Sequence, residues 1–167
     1  TVLSSATSYT VTAVNTGGSA TTLITITVIE APPSSITYNP NSFTLTKGTA
    51  MTAPVVPTAA GDPAVSWSIT PSLPTGIVFD TATGAISGTP SVVSPSTIYT
   101  VTATNNGGSG TTTITMQVND IAPSAITYNP SSLSLAEGVT MTSVSPTSSG
   151  GDVVSWTVSP TLPAGLS

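Results

Sequence analysis

The stretch from Tyr99 to Val118 reads YTVTATNNGGSGTTTITMQV. Apolar residues alternate with threonine on both sides of its centre, as in strands that bury one face. The Asn-Asn-Gly-Gly sequence at 105–108 is typical of a turn. The stretch therefore predicts a β-hairpin, whose strands we name F (97–104) and G (111–118).

The same alternation extends through the residues that precede this hairpin. Val65, Trp67 and Ile69 alternate with serine, and turn sequences rich in glycine and proline separate the apolar segments. Five further strands are predicted: A (36–38 and 43–46), B (51–56), C (64–70), D (77–80) and E (85–88). Seven strands in about 90 residues, with a tryptophan on the third and a tyrosine near the start of the sixth, indicate an immunoglobulin-like β-sandwich. The sequence has no cysteine, so this all-β fold would have no disulfide.

Several motifs occur twice, which indicates tandem repeats of about 90 residues. The sequence Ile-Thr-Tyr-Asn-Pro at 36–40 returns at 126–130, and Tyr-Thr-Val-Thr-Ala at 9–13 returns at 99–103. Val-Ser-Trp at 65–67 returns at 154–156, 89 positions later. We interpret the shorter offset as the lack of a counterpart for Pro63.

The repeat divides the chain into three segments. Residues 1–32 correspond to strands F and G of one Ig-like repeat, residues 33–122 form a complete repeat, and residues 123–167 correspond to strands A, B and C of a further repeat. Together the two outer segments match one repeat without its part equivalent to 79–90. Two explanations stay open: the chain is cut from a long array, or partial domains complete each other between molecules.

The composition excludes several classes of function. The chain has no histidine, cysteine or arginine, and Lys47 is its single basic residue beside six acids. A Ser-His-Asp triad, a Cys-His dyad and a zinc site of the usual ligands are therefore impossible. Nucleic-acid binding is not expected, because nothing would neutralise phosphates. No segment resembles a membrane span, since threonine or serine interrupts every apolar run.

A family resemblance rests on three groups of residues. Trp67–Gly76 contains Leu-Pro-Thr-Gly, Phe79–Pro90 contains Gly-Ala-Ile-Ser-Gly-Thr-Pro, and Tyr99–Asn105 leads into the glycine-rich turn. Together they resemble the bacterial putative Ig (He_PIG) repeats, relatives of cadherin-like and dystroglycan-type domains, over essentially the whole chain. The resemblance implies tandem arrays in large secreted or surface proteins, often adhesins and sometimes stalks beside enzyme modules. It implies no catalysis by the repeat itself.

The acidic residues are the candidate metal ligands. In an Ig-like chain path, the BC and DE loops lie at the end of the domain where the preceding linker enters, so Glu30, Asp62 and Asp80 are expected at one junction. Asp120 and Asp152 are the candidates at the next. Carboxylate oxygens suit Ca²⁺, and the cadherin-like resemblance implies calcium between domains. Linker charges and turn-forming aspartates are the simpler interpretation, and no other cofactor is predicted.

The aromatic residues are interpreted mainly as core. Trp67 and Trp156 lie between apolar neighbours on predicted strand C, which favours burial over a sugar-stacking role. Tyr9 and Tyr99 fit a core position or a tyrosine corner, in which the hydroxyl group binds backbone.

Two functional hypotheses follow. The first is a non-catalytic structural repeat, a stalk, spacer or filament of an extracellular bacterial surface protein, whose partners are copies of itself or adjacent repeats. Split domains completed between neighbours would let such a filament polymerise. The second is an adhesin or carbohydrate-binding module with a cell-surface or glycan ligand, which needs exposed aromatic residues or a polar cleft. An enzymatic role is not expected for this segment.

Overall fold

A computed structural model describes residues 2–167, so Thr1, the first residue of predicted segment 1–32, lies outside the described part. The chain divides into two compact units, Thr1–Asn119 and Asp120–Ser167. The regular structure of residues 2–167 is entirely β-strand, in twelve strands: β1 Ser4–Asn15, β2 Gly18–Val28, β3 Ser34–Thr37, β4 Ser42–Thr46, β5 Thr58–Ala60, β6 Ser66–Thr70, β7 Ile77–Phe79, β8 Ile86–Gly88, β9 Ser94–Asn105, β10 Gly108–Asn119, β11 Ser124–Thr127 and β12 Thr147–Ser149. None of these residues forms a helix long and apolar enough to cross a membrane.

The main sheet of the first unit has the strand order β4-β10-β9-β6. Strands β9 and β10 form the predicted hairpin, with Tyr99 opposite Ile114, and β6 pairs with the other edge of β9, with Trp67 opposite Ala103. Strand β4 runs parallel to β10. Threonine fills the outward positions, because its β-branched side chain suits the wet face of a sheet.

The second layer consists of two short ladders. Strand β3 pairs with β5, and β7 pairs with β8. An isolated bridge joins Ile86 of β8 to Val55, three residues before β5. The enclosed core contains eight buried side chains: Tyr38, Phe43, Ile77, Ile86, Tyr99, Val101, Ile114 and Met116. Full burial of each large side chain stabilises the folded state by about 1.5–3 kcal/mol. The two layers around this core confirm the predicted all-β Ig-like sandwich.

Strand B differs from the prediction of 51–56. The regular strand β5 begins later, at Thr58, and residues 51–56 make only isolated bonds, such as the one from Met51 N to the Gly88 carbonyl oxygen. Pro54 and Pro57 explain the difference, because proline has no N–H group to donate to a ladder.

Tyr38 fixes the bend between β3 and β4. Its side chain is buried, and its hydroxyl group donates a hydrogen bond of 2.6 Å to the carbonyl oxygen of Gly84. Burial raises the pKa of this hydroxyl group to about 12. Tyr38 therefore joins the start of the domain to the turn before β8.

The first hairpin, β1 and β2, has the same register as β9 and β10, but its apolar residues are more exposed. Its register places Tyr9 opposite Ile24, 90 residues before the pair Tyr99 and Ile114. Tyr9 is 49% exposed and Ile24 is 48% exposed, whereas Tyr99 and Ile114 are buried. Among the described residues, Tyr9 is therefore half exposed, whereas Tyr99 occupies the predicted core position.

The second unit contains one short ladder, β11 with β12. Residues 155–159, equivalent to β6, form no ladder, which differs from the predicted strand C of segment 123–167. The physical reason is the missing partner: β6 pairs only with β9, and residues 120–167 contain no equivalent of β9. Trp156 is accordingly half exposed, while Trp67 packs on the core of the first unit.

The strands also correct the alignment of the two repeats. Strand β12 at 147–149 corresponds to β5 at 58–60, which is 89 positions earlier. Met141, by contrast, follows its equivalent Met51 by 90 positions. The missing residue therefore lies between Met141 and Thr147, and our assignment of the gap to Pro63 was wrong. Consequently Gly151, and not Asp152, is the equivalent of Asp62.

Candidate interdomain junction

The linker 30–33 is held by hydrogen bonds to the loops at one end of the complete repeat. The N–H group of Ala31 donates to Asp62 Oδ2 at 2.8 Å. The carbonyl oxygen of Ala31 accepts bonds from Asn105 Nδ2 at 2.8 Å and from the Asp62 N–H group at 3.3 Å. Both backbone groups of a single linker residue are therefore satisfied by the domain that follows it.

Asn105, the last residue of β9, is the centre of this arrangement. It is the buried polar residue of the first unit, with 5% of its surface exposed. Its Oδ1 accepts bonds from the N–H groups of Gly107 and Gly108 at 2.9 and 3.1 Å, while Nδ2 holds Ala31. One side chain thus shapes the hairpin turn and also binds the linker, as asparagine is suited to do in turns.

Three glycines, which have no side chain, let the linker come close to these loops. A Cβ atom built on any of three glycines would overlap a carbonyl oxygen of the linker: Gly107 lies against Glu30, Gly61 against Pro32 and Gly110 against Pro33. Gly61 also has a φ of +89°, which L-residues rarely adopt. Close backbone packing therefore supplements the hydrogen bonds.

Two of the predicted acidic ligands lie at this junction, but they bind backbone. Glu30 Oε2 accepts a bond of 3.0 Å from the Asn106 N–H group, and Asp62 binds Ala31. Carboxylates that accept N–H groups in this way act as loop and linker caps. Both residues therefore fasten the linker to the domain.

Asp80 instead caps its own turn. Its Oδ1 accepts bonds from the N–H groups of Ala82 and Thr83, and its Oδ2 accepts one from the Thr83 hydroxyl group at 2.8 Å. The Ala82 N–H group, followed by the Thr83 hydroxyl group, holds the pKa of this carboxyl group below its ordinary value. Glu30, Asp62 and Asp80 do not form one group able to hold a metal ion.

Within residues 2–167, no three histidine, cysteine, aspartate or glutamate side chains form a group able to hold a metal ion. In the second unit, Asp120 Oδ1 accepts a bond of 2.9 Å from the neighbouring Ile121 N–H group. Asp152 lies one position after Gly151, against which the Ile121 carbonyl oxygen packs. Calcium at either junction stays a prediction from the sequence.

The second linker repeats the backbone contacts of the first. The carbonyl oxygen of Ala122 lies against Gly150, as that of Pro32 lies against Gly61. Gly150 has a φ of +87°, close to the +89° of Gly61. The close approach of linker and BC loop is therefore a property of the repeat.

The sequence contains a signal for this junction. An asparagine two residues before Gly-Gly occurs at the end of both long strands, as Asn15 and Asn105. Asparagine before glycine indicates a turn, but nothing in the pattern shows that its amide also holds a linker. That contact depends on the three-dimensional approach of residues 74 positions apart.

Solved structures with similar folds include a putative alpha-galactosidase from Bacteroides fragilis, at 22% identity and a TM-score of 0.41, with 55% of this chain and 18% of that chain covered. An I-band fragment from titin matches at 18% identity and a TM-score of 0.40, covering 71% of this chain and 43% of the fragment. The chain thus spans less than half of either structure. Among curated proteins, none matches it.

The family assignment follows from the complete repeat. The model of the family described as "Putative Ig domain" (He_PIG) matches residues 33–119, which is more than half of the 167 residues. The matched residues contain the β4-β10-β9-β6 sheet, both short ladders and the loops that hold the linker. This chain belongs to the putative Ig domain family.

Proposed function

We propose that the chain is a non-catalytic structural repeat of an extracellular bacterial surface protein or filament, in which Ig-like domains follow one another as a stalk or spacer. The observation that carries this proposal is the binding of linker residue Ala31 by Asp62 and Asn105 of the following domain. A spacer needs a defined angle between neighbours, and a linker residue whose N–H and carbonyl groups are both bonded to the following domain cannot swing freely relative to it. Pro32 and Pro33 restrict it further.

The surface composition supports the same function. Charged residues make up 4% of the chain, and threonine and serine cover the outward faces of the strands. Soluble domains usually carry about 25% charged residues, which keep them apart. A surface with so little charge suits lateral or end-to-end packing, with copies of the chain or adjacent repeats as partners.

The proposal is tested by the stiffness of the junction. Because the chain has no cysteine, T22C and T113C can carry two spin labels, one in the first hairpin and one in the complete repeat. Pulsed dipolar spectroscopy is expected to give a narrow distance distribution. N105A should broaden it, whereas N15A, the equivalent change in the first hairpin, should leave it narrow.

A distribution already broad in the otherwise unchanged chain would contradict a spacer with fixed angles. The extracellular location is tested separately, by proteolytic shaving of intact cells followed by mass spectrometry. Peptides of this chain are expected among the released fragments. Their recovery only after lysis would argue against a surface protein.

A filament could also lengthen if partial domains of neighbouring copies complete each other. Strand addition of this kind would join copies through main-chain hydrogen bonds and buried apolar area.

A further inference from the structure

We infer that Asn106 is a site of spontaneous covalent modification, and that its deamidation loosens the linker held by the same turn. The inference rests on the proposed structural function and adds to it a change of junction stiffness with time. The reaction needs water as its only co-reactant.

The sequence contains a single Asn-Gly step. Of the seven asparagines in the chain, Asn106 is the only one that glycine follows. Because glycine has no side chain, its backbone nitrogen can approach the preceding asparagine side chain closely. Asn39 and Asn129 precede proline, whose nitrogen has no proton to lose. Asn106 is therefore the asparagine best placed to react.

The two residues of this step form the tip of a hairpin. Strand β9 ends at Asn105 and strand β10 begins at Gly108, and these two residues are register partners. Asn106 and Gly107 are thus the whole connection between the strands. Asn106 is exposed and Gly107 is partly exposed, so water reaches the reacting atoms.

The reaction is an internal displacement followed by hydrolysis. The Gly107 nitrogen gives its proton to water and forms a bond with Asn106 Cγ. The Cγ–Nδ2 bond then breaks, and the amide nitrogen takes up a proton and leaves as ammonia. The product is a five-membered succinimide ring. Water adds to either carbonyl carbon of the ring, which gives aspartate or isoaspartate without oxidation or reduction.

Asn105 restrains the nucleophile of this reaction. Its Oδ1 accepts the Gly107 N–H group at 2.9 Å and the Gly108 N–H group at 3.1 Å. A proton held in a hydrogen bond is harder to remove, and the bond directs the Gly107 nitrogen toward Asn105. Asn105 is itself buried, so water does not easily take its place. The folded turn should therefore react more slowly than the same sequence in a free peptide.

The modification changes two contacts that fasten the linker. Glu30 Oε2 accepts a bond of 3.0 Å from the Asn106 N–H group, and Gly107 lies against the Glu30 carbonyl oxygen. Either product adds a carboxylate at residue 106, near that of Glu30, and like charges repel. Isoaspartate also adds one methylene group to the main chain between these two contacts. Both contacts cannot then keep their present geometry.

The first hairpin contains an unreactive version of the same turn. Thr16 takes the place of Asn106 in the sequence Asn-Thr-Gly-Gly at 15–18. Asn15 Oδ1 accepts the Gly17 N–H group at 2.8 Å, as Asn105 Oδ1 accepts that of Gly107. Threonine has no amide to lose but keeps the backbone N–H group. N106T is therefore the matched control.

The first experiment follows the mass of the whole chain during storage at neutral pH and physiological temperature. The unchanged chain should gain the mass of one amide-to-acid conversion, and mapping of peptic peptides should place it at Asn106. An isoaspartate-specific methyltransferase should label the stored chain. N106T should show neither change. N105A should raise the rate by about fivefold, the factor that corresponds to one ordinary hydrogen bond of about 1 kcal/mol.

The second experiment measures the junction before and after conversion. The spin-label pair T22C and T113C should give a narrow distance distribution in the fresh chain and a broader one in the stored chain. N106T should keep the narrow distribution throughout storage. N106D adds the charge without the longer main chain, so it should broaden the distribution less. Added salt should reverse its effect, because salt screens exposed charges.

The outcomes separate this inference from the proposed function. A distribution already broad in the fresh chain would contradict the spacer. A narrow distribution that persists after full conversion would overturn the inference and leave the spacer intact. The inference would also fail if the chain did not convert while a free peptide of residues 103–110 did, or if N105A reacted no faster. Near-ultraviolet circular dichroism of N105A checks that its faster reaction comes from a folded chain.

Discussion

Asn105 and Ala31 are 74 positions apart, yet the side-chain amide of the first donates a 2.8 Å hydrogen bond to the backbone carbonyl oxygen of the second. This bond joins the end of strand β9 to the linker that enters the domain. Its neighbours are the Asp62 carboxylate, which accepts the Ala31 N–H group, and the glycines beneath the linker. The position of the linker is therefore determined by the side chains of Asn105 and Asp62 and by close backbone packing at the glycines.

Replacement of Asn105 with alanine should lower the free energy of unfolding by about 1–3 kcal/mol, because partly buried backbone groups lose their partners. Urea unfolding followed by Trp67 fluorescence, in a W156F background, measures this loss. N15A is the matched control and should change stability much less, since Asn15 lies in the exposed hairpin. Equal effects of the two substitutions would contradict the role assigned to Asn105.

G107A tests the close approach of the linker. A methyl group at this position would overlap the Glu30 carbonyl oxygen, so we expect a loss of about 1–3 kcal/mol, as for other overpacked sites. At Gly17, the equivalent position in the first hairpin, the added atom meets only Asn15 Oδ1 at 3.2 Å. G17A should therefore be nearly neutral in the same urea titration, and a neutral G107A would show that the linker can move aside.

Much of the fold could be predicted from the sequence because alternation and turn residues are local signals. The hairpin strands β9 and β10 and the strand β6 lie where apolar and polar residues alternate. Strand B was misplaced because Pro54 and Pro57 interrupt a segment whose apolar character alone suggested a strand. Proline removes donors without changing the apolar pattern.

The candidate site was only partly predictable. The acids Glu30 and Asp62 do lie at the junction, as the Ig-like chain path indicated, but the path alone could not show that both bind backbone N–H groups. Asp80 was expected beside them and instead caps its own turn. Local hydrogen bonds of this kind depend on loop conformation, which residue types alone do not determine.

Tyr38 should make the complete repeat sensitive to alkaline pH. Its pKa is about 12 in the folded chain and 10.0 for an exposed tyrosine. Folding therefore favours the protonated form of Tyr38. The contribution of this form to the free energy of unfolding is fully present below pH 10 and is lost as the pH rises through about 12. Thermal unfolding between these pH values is the measurement.

Y38F provides the matching test at neutral pH. It removes the bond to the Gly84 carbonyl oxygen and should cost about 1 kcal/mol. It should also flatten the alkaline pH dependence. Y128F, at the equivalent but half-exposed residue, should do neither. An unchanged alkaline transition in Y38F would assign that transition to another group.

Asp80 should contribute in the opposite pH range. Because its folded-state pKa lies below the ordinary value of 3.8, the charged form is favoured by folding. Its contribution is present above that pH and disappears as the pH falls through the folded-state pKa. D80N should reduce the loss of stability at acid pH, measured as unfolding followed by Trp67 fluorescence. Trp67 reports on this turn because its backbone N–H group donates to the Thr81 carbonyl oxygen. E137Q, in the other unit, is the control.

The parallel pairing of β4 with β10 has a mechanical consequence. One strand lies near the start of the complete repeat and the other at its end, so tension applied through both linkers would pull the two strands past each other along their length. The bonds from Thr115 N to the Asn41 carbonyl oxygen and from Lys47 N to the Asn119 carbonyl oxygen close the two ends of this ladder. Under such shear the hydrogen bonds between these two ends must break together, so the stretched domain would resist force as one unit.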